Sequence, residues 1–389
     1  MTTRLTCDVV VVGAGMVGAA CALYAARAGH SVVVVDRGPV AGGTTGAGEG
    51  NLLVSDKEPG PELELALLSA RLWSELAAEP GVAGSVEFEA KGGVVVASSA
   101  EGLAALEKFA AQQRDAGVDA RAVAADDLYA LEPKLAPGMP GGVHYPQDAQ
   151  VMPTLAAAHL LRLARAAGAR LLTGAPVTAV LRAADGSVRG VRTGRGEIHA
   201  PAVVNAAGTW GGELAALAGV RLPVLPRRGF VLVTEPLPRV VRHKVYAADY
   251  VADVASDSAT LQTSPVVEGT AAGPVLIGAS RERVGFDRTF SVPVVRSLAA
   301  GAARLFPFLE NVRVMRSYLG FRPYMPDHLP AIGPDARVPG LFHACGHEGA
   351  GIGLATGTGH LIAGALGGGG GPDPALAPFR PDRFPEEAS

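Results

Sequence analysis

The chain opens on an unbroken apolar run, "VVVV" at residues 9–12, closed by glycine. A run with no polar position alternating into it predicts a strand covered on both faces, as in a parallel sheet. Met16, Ala19, Ala20 and Leu23 then recur at helical spacing, and Gly29 ends that helix in the usual C-terminal manner. A second buried run, "SVVVVD", follows, with Asp36 at its end. Further helices are predicted over "ELELALLSARLWSELAA", at 101–117, at 126–132 opened by Asp126, and from Pro153, where proline occupies the first turn. "PVTAVLRAADGSVRGVRTGRGEIHAPAVVNAAGTW" reads as strand, Asp-Gly turn, strand, turn, short strand and buried strand. From 223 to 319 the pattern alternates: "GFVLVTEP", "HKVYAADYV", "ATLQTSPVVEG" and "GPVLIGASRE" predict an antiparallel sheet with one covered face. "SLAAGAARLFPFL" supplies one helix on it. The carboxyl end, "LFHACGHEGAGIGLATGTGHLIAGAL", gives strand, glycine loop and helix.

The first turn carries chemistry. "GAGMVG" follows a strand, opens a helix, and has an acid 18 residues beyond its last glycine. In that context it is the fingerprint of a Rossmann-type dinucleotide site. Gly13 permits the tight turn, Gly15 lets a pyrophosphate touch backbone, and Gly18 lets helix and strand pack closely. The helix start, with Met16 and Val17, favours phosphate charge. Asp36, followed by Arg37, can accept from ribose hydroxyls and repels a 2′-phosphate. A second small-residue loop, "GGTTGAGEGNL", offers Thr44 and Thr45 as donors to phosphate or ribitol. It also offers the backbone of Gly50, Asn51 and Leu52 to the edge of a ring; small polar residues also fill ordinary surface loops. The apolar strand ending at Ala207, Gly208 and Trp210 suggests a return to the nucleotide sheet, with Val177 and Gly208 near the ligand.

Composition narrows the classes. Of 389 residues, 48% are hydrophobic and 18% charged, enough to bury a large core. A net charge of −3 provides no basic field for nucleic acid or an anionic membrane. Three cysteines without a C-x-x-C argue against a disulfide framework or an iron–sulfur cluster held by this chain, and fit a reducing cytoplasm. The apolar stretch beyond Glu348 is too glycine-dense to be expected as a membrane span. His343, Cys345 and His347 form H-x-C-x-H, but no fourth ligand accompanies them, so no metal is expected.

Taken together, "VVVVGAGMVG…VVVVDR", "GTTGAGEGNL", "VTAV…VVNAAGTW", "RRGFVLVTEP", "GFRPYMPDHLPAIG" and "GLFHACGHEGAGIGLATGTG" resemble, in order and over essentially the whole chain, the D-amino acid oxidase-like flavoenzymes. Glycine oxidase, D-amino acid dehydrogenase and the sarcosine oxidase β-subunit are of this type. "GHEGAGIG" and "SDKEPGPELELALLS" are most similar to flavoprotein subunits of the D-hydroxyproline dehydrogenase, opine oxidase and hydrogen cyanide synthase kind. The resemblance implies an α/β + α+β fold: a discontinuous Rossmann-like FAD-binding domain (1–85, 146–222 and 320–389) and an antiparallel substrate domain (86–145 and 223–319). It implies non-covalent FAD, with the backbone of Gly346, Glu348, Gly349, Ala350, Gly351 and Ile352 along the isoalloxazine and the last helix aimed at its N1–C2=O edge. Glycines there would spare the ring a side chain.

On the substrate side, the resemblance implies that Arg322 binds a carboxylate, with Tyr250, and also Tyr246, beside it. Where glycine oxidase carries a second arginine this chain has Gly349, next to Glu348. Glu348 is left to meet a substrate ammonium or a guanidinium, or to bond the loop backbone. The expected reaction is oxidation of the C–N bond of a D-amino acid, hydroxyproline, glycine- or sarcosine-like acid or opine by hydride transfer to flavin N5. No side-chain base is obligatory; His347 is the weak candidate. Alternatives are an NAD-dependent dehydrogenase, a flavin monooxygenase, or a subunit acting mainly through partners. The expected partners are a small amine substrate and a homo-oligomer, or a hetero-oligomer with an iron–sulfur or second flavoprotein subunit.

Overall fold

In the computed structural model, which describes residues 5–248, 258–368 and 373–384, the two valine runs Val9–Val12 and Val32–Val35 lie side by side as parallel strands. They sit within a six-stranded sheet ordered Ala331–Pro334, Leu341–Cys345, Ala202–Asn205, Val9–Val12, Val32–Val35, Arg170–Leu172. All neighbours are parallel except the first pair. The absence of alternation has a simple cause. Val9, Val11, Val32 and Val34 pack into a core with the helices Met16–Arg27, Pro153–Ala166 and Ala355–Leu366. Val10, Val12, Val33 and Val35 pack into a second core on the opposite face. That face is covered by the predicted meander Val177–Arg182, Val188–Thr193 and Gly196–His199, to which Leu5–Thr6 adds as an unanticipated parallel strand.

The second sheet has eight strands, ordered Val314–Tyr324, Leu225–Thr234, Val275–Arg281, Gln262–Gly269, Lys244–Ala247, Gly93–Ala97, Gly141–Tyr145, Arg121–Ala124. Neighbours are antiparallel except Lys244–Ala247 with Gly93–Ala97. Helix Val292–Leu305 buries Val294, Leu298, Ala302 and Leu305 against Phe230, Leu232, Val267 and Ile277. The alternate positions Gly229 and Val231 look the other way, into a cavity between this sheet and the nucleotide sheet. The three strands within 93–145 were not anticipated: "GVVVA" is buried throughout and offers no alternation to read. Helices fall within two residues of the predicted spans at Ala100–Asp115 and Ala125–Leu131. The last helix starts later than the glycine loop suggested, at Ala355. Among the described residues, no helix is long and apolar enough to cross a membrane.

Between the sheets lies a fully buried polar knot. Asp148 accepts from the N–H of Val54 and from the Ser55 hydroxyl, and Ser55 Oγ in turn accepts from Tyr246 Oη at 2.6 Å. Burial pushes the Asp148 carboxyl up to about 7, against the hydrogen bonds that lower it. A carboxyl raised on folding contributes stability that is fully present below its unfolded value and lost as pH rises through the folded one. Stability should therefore fall between about pH 4 and 7, by up to about 1.4 kcal/mol per pH unit from this group. Asp148→Asn should flatten that decline in urea denaturation at pH 5 and 8; an equally steep decline in the variant would contradict the assignment.

Candidate active site

A cavity of about 400 Å³ lies between the two sheets, lined on the nucleotide side by Asp36, Val177 and Trp210 and on the substrate side by Gly229, Val231 and Arg322. Its first wall is the glycine turn. Gly13 has φ +120°, and a Cβ there would lie 2.2 Å from the Ala206 carbonyl oxygen. A Cβ on Gly18 would lie 2.0 Å from the Gly13 oxygen, so Gly18 does not line the cavity but lets helix and strand meet. Among the described residues, nothing accepts the N–H of Gly15 or Val17, and both residues line the cavity. Two free amides at a helix start make an anion site. Asp36 holds this turn from below: Oδ2 accepts from Ala14 N–H and Oδ1 from Gly38 N–H, both at 2.7 Å. Each carboxylate oxygen keeps acceptor capacity for a ribose hydroxyl. The Arg37 guanidinium stacks 4.1 Å above the Trp210 ring and closes this side.

The second loop divides its roles. Thr45 Oγ1 accepts from Met16 N–H at 2.9 Å, which leaves its own proton to donate. Thr44 lines the cavity but donates to the Phe321 carbonyl at 2.7 Å, so it ties the loop to the substrate sheet rather than donating to phosphate. Gly50 and Asn51 line the cavity; Leu52 is buried behind it, in a two-residue pairing with Ala149. Val177, Ala207, Gly208 and Trp210 line it as expected.

The carboxyl-terminal loop is more selective than its sequence suggested. Gly349, Gly351 and Ile352 line the cavity, and among the described residues their N–H groups have no acceptor. Gly346 does not line it: its φ is +83°, and a Cβ would strike Met325 Cγ at 2.4 Å. Its glycine answers to Met325, not to a ligand. Ala350 faces a neighbouring pocket bounded by Lys57, Glu62, Arg281 and His328.

Arg322 reaches the cavity from the edge strand, its Nη1 donating to the Ser280 carbonyl at 2.8 Å. It lies directly across from Arg227 in the antiparallel register, so two guanidiniums share one face. Arg227 is fully buried and engaged: it pairs with Glu348 and donates to Gln262 Oε1 at 2.8 Å. Glu348 thus meets a guanidinium of the protein itself, and its other oxygen faces His328 Nδ1 at 3.2 Å. Burial pushes the Glu348 carboxyl up, but His328 and Arg227 outweigh it and hold it below the usual carboxylate range. Neither Arg227 nor His328 was picked out from the sequence, because the pairing depends on register across strands. Glu348→Ala should destabilise the protein by about 3–5 kcal/mol, since it removes the carboxylate that neutralises a buried guanidinium. Chemical denaturation measures this; a loss under about 1 kcal/mol would contradict the pairing.

Two of the remaining site expectations, Tyr246 and His347, are resolved differently. Tyr246 is wholly buried and bonded to Ser55. Its strand is four places from that of Arg322 in the sheet, about 19 Å at the usual strand spacing, so it cannot share a ligand with Arg322. Tyr250 lies outside the described residues. His347 lines the cavity, but burial lowers its imidazole to about 3, and Nε2 is engaged with Thr358 Oγ1 at 2.9 Å. A general base works best with a pKa near the working pH, so His347 is a poor one. His343 bridges Asn205 and Asp335, and burial raises the Cys345 thiol to about 12. The described residues hold no cluster that could bind a metal.

A cavity lined by free amides at a helix start, by bare main chain and by a guanidinium fits FAD. The family model described as "FAD dependent oxidoreductase" matches residues 8–365. The chain belongs to that family. This FAD-dependent oxidoreductase is 32% identical to the hydrogen cyanide synthase subunit HcnC of Pseudomonas aeruginosa, over 92% of this chain and 91% of that one. It is also 32% identical to glycine oxidase of Geobacillus kaustophilus, over 92% of each. The crystal structure of Geobacillus kaustophilus glycine oxidase superposes with a TM-score of 0.86 at 28% identity, covering 98% of this chain and 100% of that one. L-proline dehydrogenase from P. horikoshii shares the fold, with a TM-score of 0.87 at 23% identity and 98% coverage of each. FAD is the cofactor. The residues that fit its phosphates are Gly15, Val17 and Thr45, those that fit its ribose Asp36, and those that fit its ring Gly50, Asn51, Gly349, Gly351 and Ile352.

Proposed function

We propose that this flavoenzyme oxidises the C–N bond of a small amino or imino acid held by its carboxylate on Arg322. The observation that carries this reading is a half-buried guanidinium on the substrate sheet that lines the same cavity as the free amides of the helix start. The planar fork of Arg322 offers two parallel charged hydrogen bonds to a carboxylate. Its Ser280 anchor fixes the fork before substrate arrives, and that preorganisation is what orients the reacting C–H. The second guanidinium, Arg227, is neutralised by Glu348 and serves as scaffold. Bound FAD supplies the two-electron acceptor for the hydride leaving the substrate.

Under this reading the FAD-binding domain comprises 1–85, 146–222 and 320–389, and the substrate domain 86–145 and 223–319. The similarity to a synthase subunit favours work in a hetero-oligomer, with electrons passing to a partner. The described cysteines are all free thiols, in keeping with a reducing cytoplasm. Anaerobic mixing of the yellow holoenzyme with glycine, sarcosine, D-amino acids, prolines and opines tests the reaction class. At least one should bleach the flavin without NADPH. Bleaching by NADPH alone would overturn the proposal in favour of a monooxygenase.

A further inference from the structure

Glu49 is the one acid in the small-residue loop GTTGAGEGN. It lines the same cavity as Arg322, is only 7% exposed, and its Oε1 has no hydrogen-bond partner. No ion pair to it is present among the described residues. A buried carboxylate left this way is strongly disfavoured unless a cation or donor meets it. Its neighbour Glu268 is already provided for, with Lys244 Nζ at 3.2 Å and Lys91 close by.

The position is informative. A Cβ on Gly278 would lie 2.3 Å from Glu49 Oε1, so the carboxylate rests on the bare backbone of Gly278. Two residues along the same strand, the Ser280 carbonyl accepts from Arg322, whose Nη1 would lie 2.1 Å from a Cβ on Gly229, with the Ser280 oxygen 2.5 Å from that Cβ. Two residues of chain span at most about 7 Å. One carboxyl and one guanidinium group therefore line the cavity against neighbouring points of one strand, close enough for a short ligand. In an α-amino acid the nitrogen lies roughly 3 Å from the nearer carboxylate oxygen. With hydrogen bonds of about 2.9 Å at each end, such a molecule bridges the pair.

We propose that Glu49 receives the substrate's α-ammonium, or the ring N–H of an imino acid, while Arg322 holds its carboxylate. The site thereby selects zwitterionic α-amino and α-imino acids over hydroxy acids of the same shape. This rests on the carboxylate role of Arg322. It uses a charge that the resemblance to known flavoenzymes did not assign.

The test is spectral titration of the holoenzyme with 2-aminoisobutyrate and 2-hydroxyisobutyrate, neither of which has a Cα hydrogen to lose. The native protein should prefer the amino probe by about tenfold or more. Glu49→Gln should weaken the amino probe by about that factor and leave the hydroxy probe nearly unchanged. Glu49→Asp, which keeps the charge, should retain the preference, and Arg322→Ala should weaken both probes. A preference that persists in Glu49→Gln overturns the inference and leaves the Arg322 reading standing. If Glu49→Gln loses its FAD, Glu49 serves the cofactor and the inference is again overturned. If neither probe perturbs the native flavin, the Arg322 reading fails and takes the inference with it.

Discussion

Arg322→Ala lowers kcat/KM for the best amino acid substrate by about a thousandfold, on the order of 4 kcal/mol of transition-state stabilisation. Two charged hydrogen bonds are lost, at about 1.5–3 kcal/mol each. Loss of orientation adds to this, because a reacting centre displaced by about 1 Å can cost a hundredfold. Both kcat and KM should change: the fork that binds the acid also aims its C–H. Arg322→Lys should recover little, since an ammonium offers a point charge without the planar pair. FAD content should stay at the native level, because Arg322 is not among the residues that fit the cofactor's phosphates or ribose. Steady-state kinetics beside the flavin-to-protein absorbance ratio check this. An Arg322→Ala enzyme within tenfold of native would remove the carboxylate role.

The second large effect concerns the cofactor. Gly15 has φ −80°, which any residue adopts, and an added Cβ would meet only Thr45 Oγ1, at 3.1 Å. Gly15→Ala should therefore fold. Its methyl group would stand where the pyrophosphate must touch main chain, so FAD affinity should fall about a hundredfold, within the 1–3 kcal/mol typical of overpacking. Gly13→Ala is a different case. Its Cβ would collide with the Ala206 backbone, so that variant loses the fold along with the flavin. Apoprotein melting separates the two: Gly15→Ala should melt like native apoprotein, and Gly13→Ala should not. Equal FAD affinity in Gly15→Ala and native protein would place the phosphates elsewhere.

These two positions also show what a sequence discloses. Gly13, Gly15 and Gly18 were legible because their demands are local: a turn, an approach and a helix contact within six residues. The valine runs were legible as doubly covered strands because both faces are apolar. Arg227 and Glu49 were not, since each is defined by what lies across the sheet, and for Glu348 a guanidinium was one of three partners left open. Register decides that Arg227 opposes Arg322, and that Glu348 lies between Arg227 and His328. Alternation placed Tyr246 on a strand but could not show that the strand lies far from Arg322. The glycines of the last loop illustrate the same limit. Gly349 and Gly351 keep the cavity wall bare, whereas Gly346 accommodates Met325. Glu49 was visible as a lone charge in a loop of small residues, and that contrast was the available clue.

The central claim is that a carboxylate held by Arg322 brings a C–N bond to the flavin. Its most direct test compares, under anaerobic rapid mixing, a bleaching amino or imino acid with the same amine lacking its carboxyl group, such as proline against pyrrolidine or glycine against methylamine. The account predicts that only the acid bleaches the native holoenzyme at an appreciable rate, and that Arg322→Ala abolishes the difference. Equal bleaching of the native holoenzyme by acid and decarboxylated amine would contradict it.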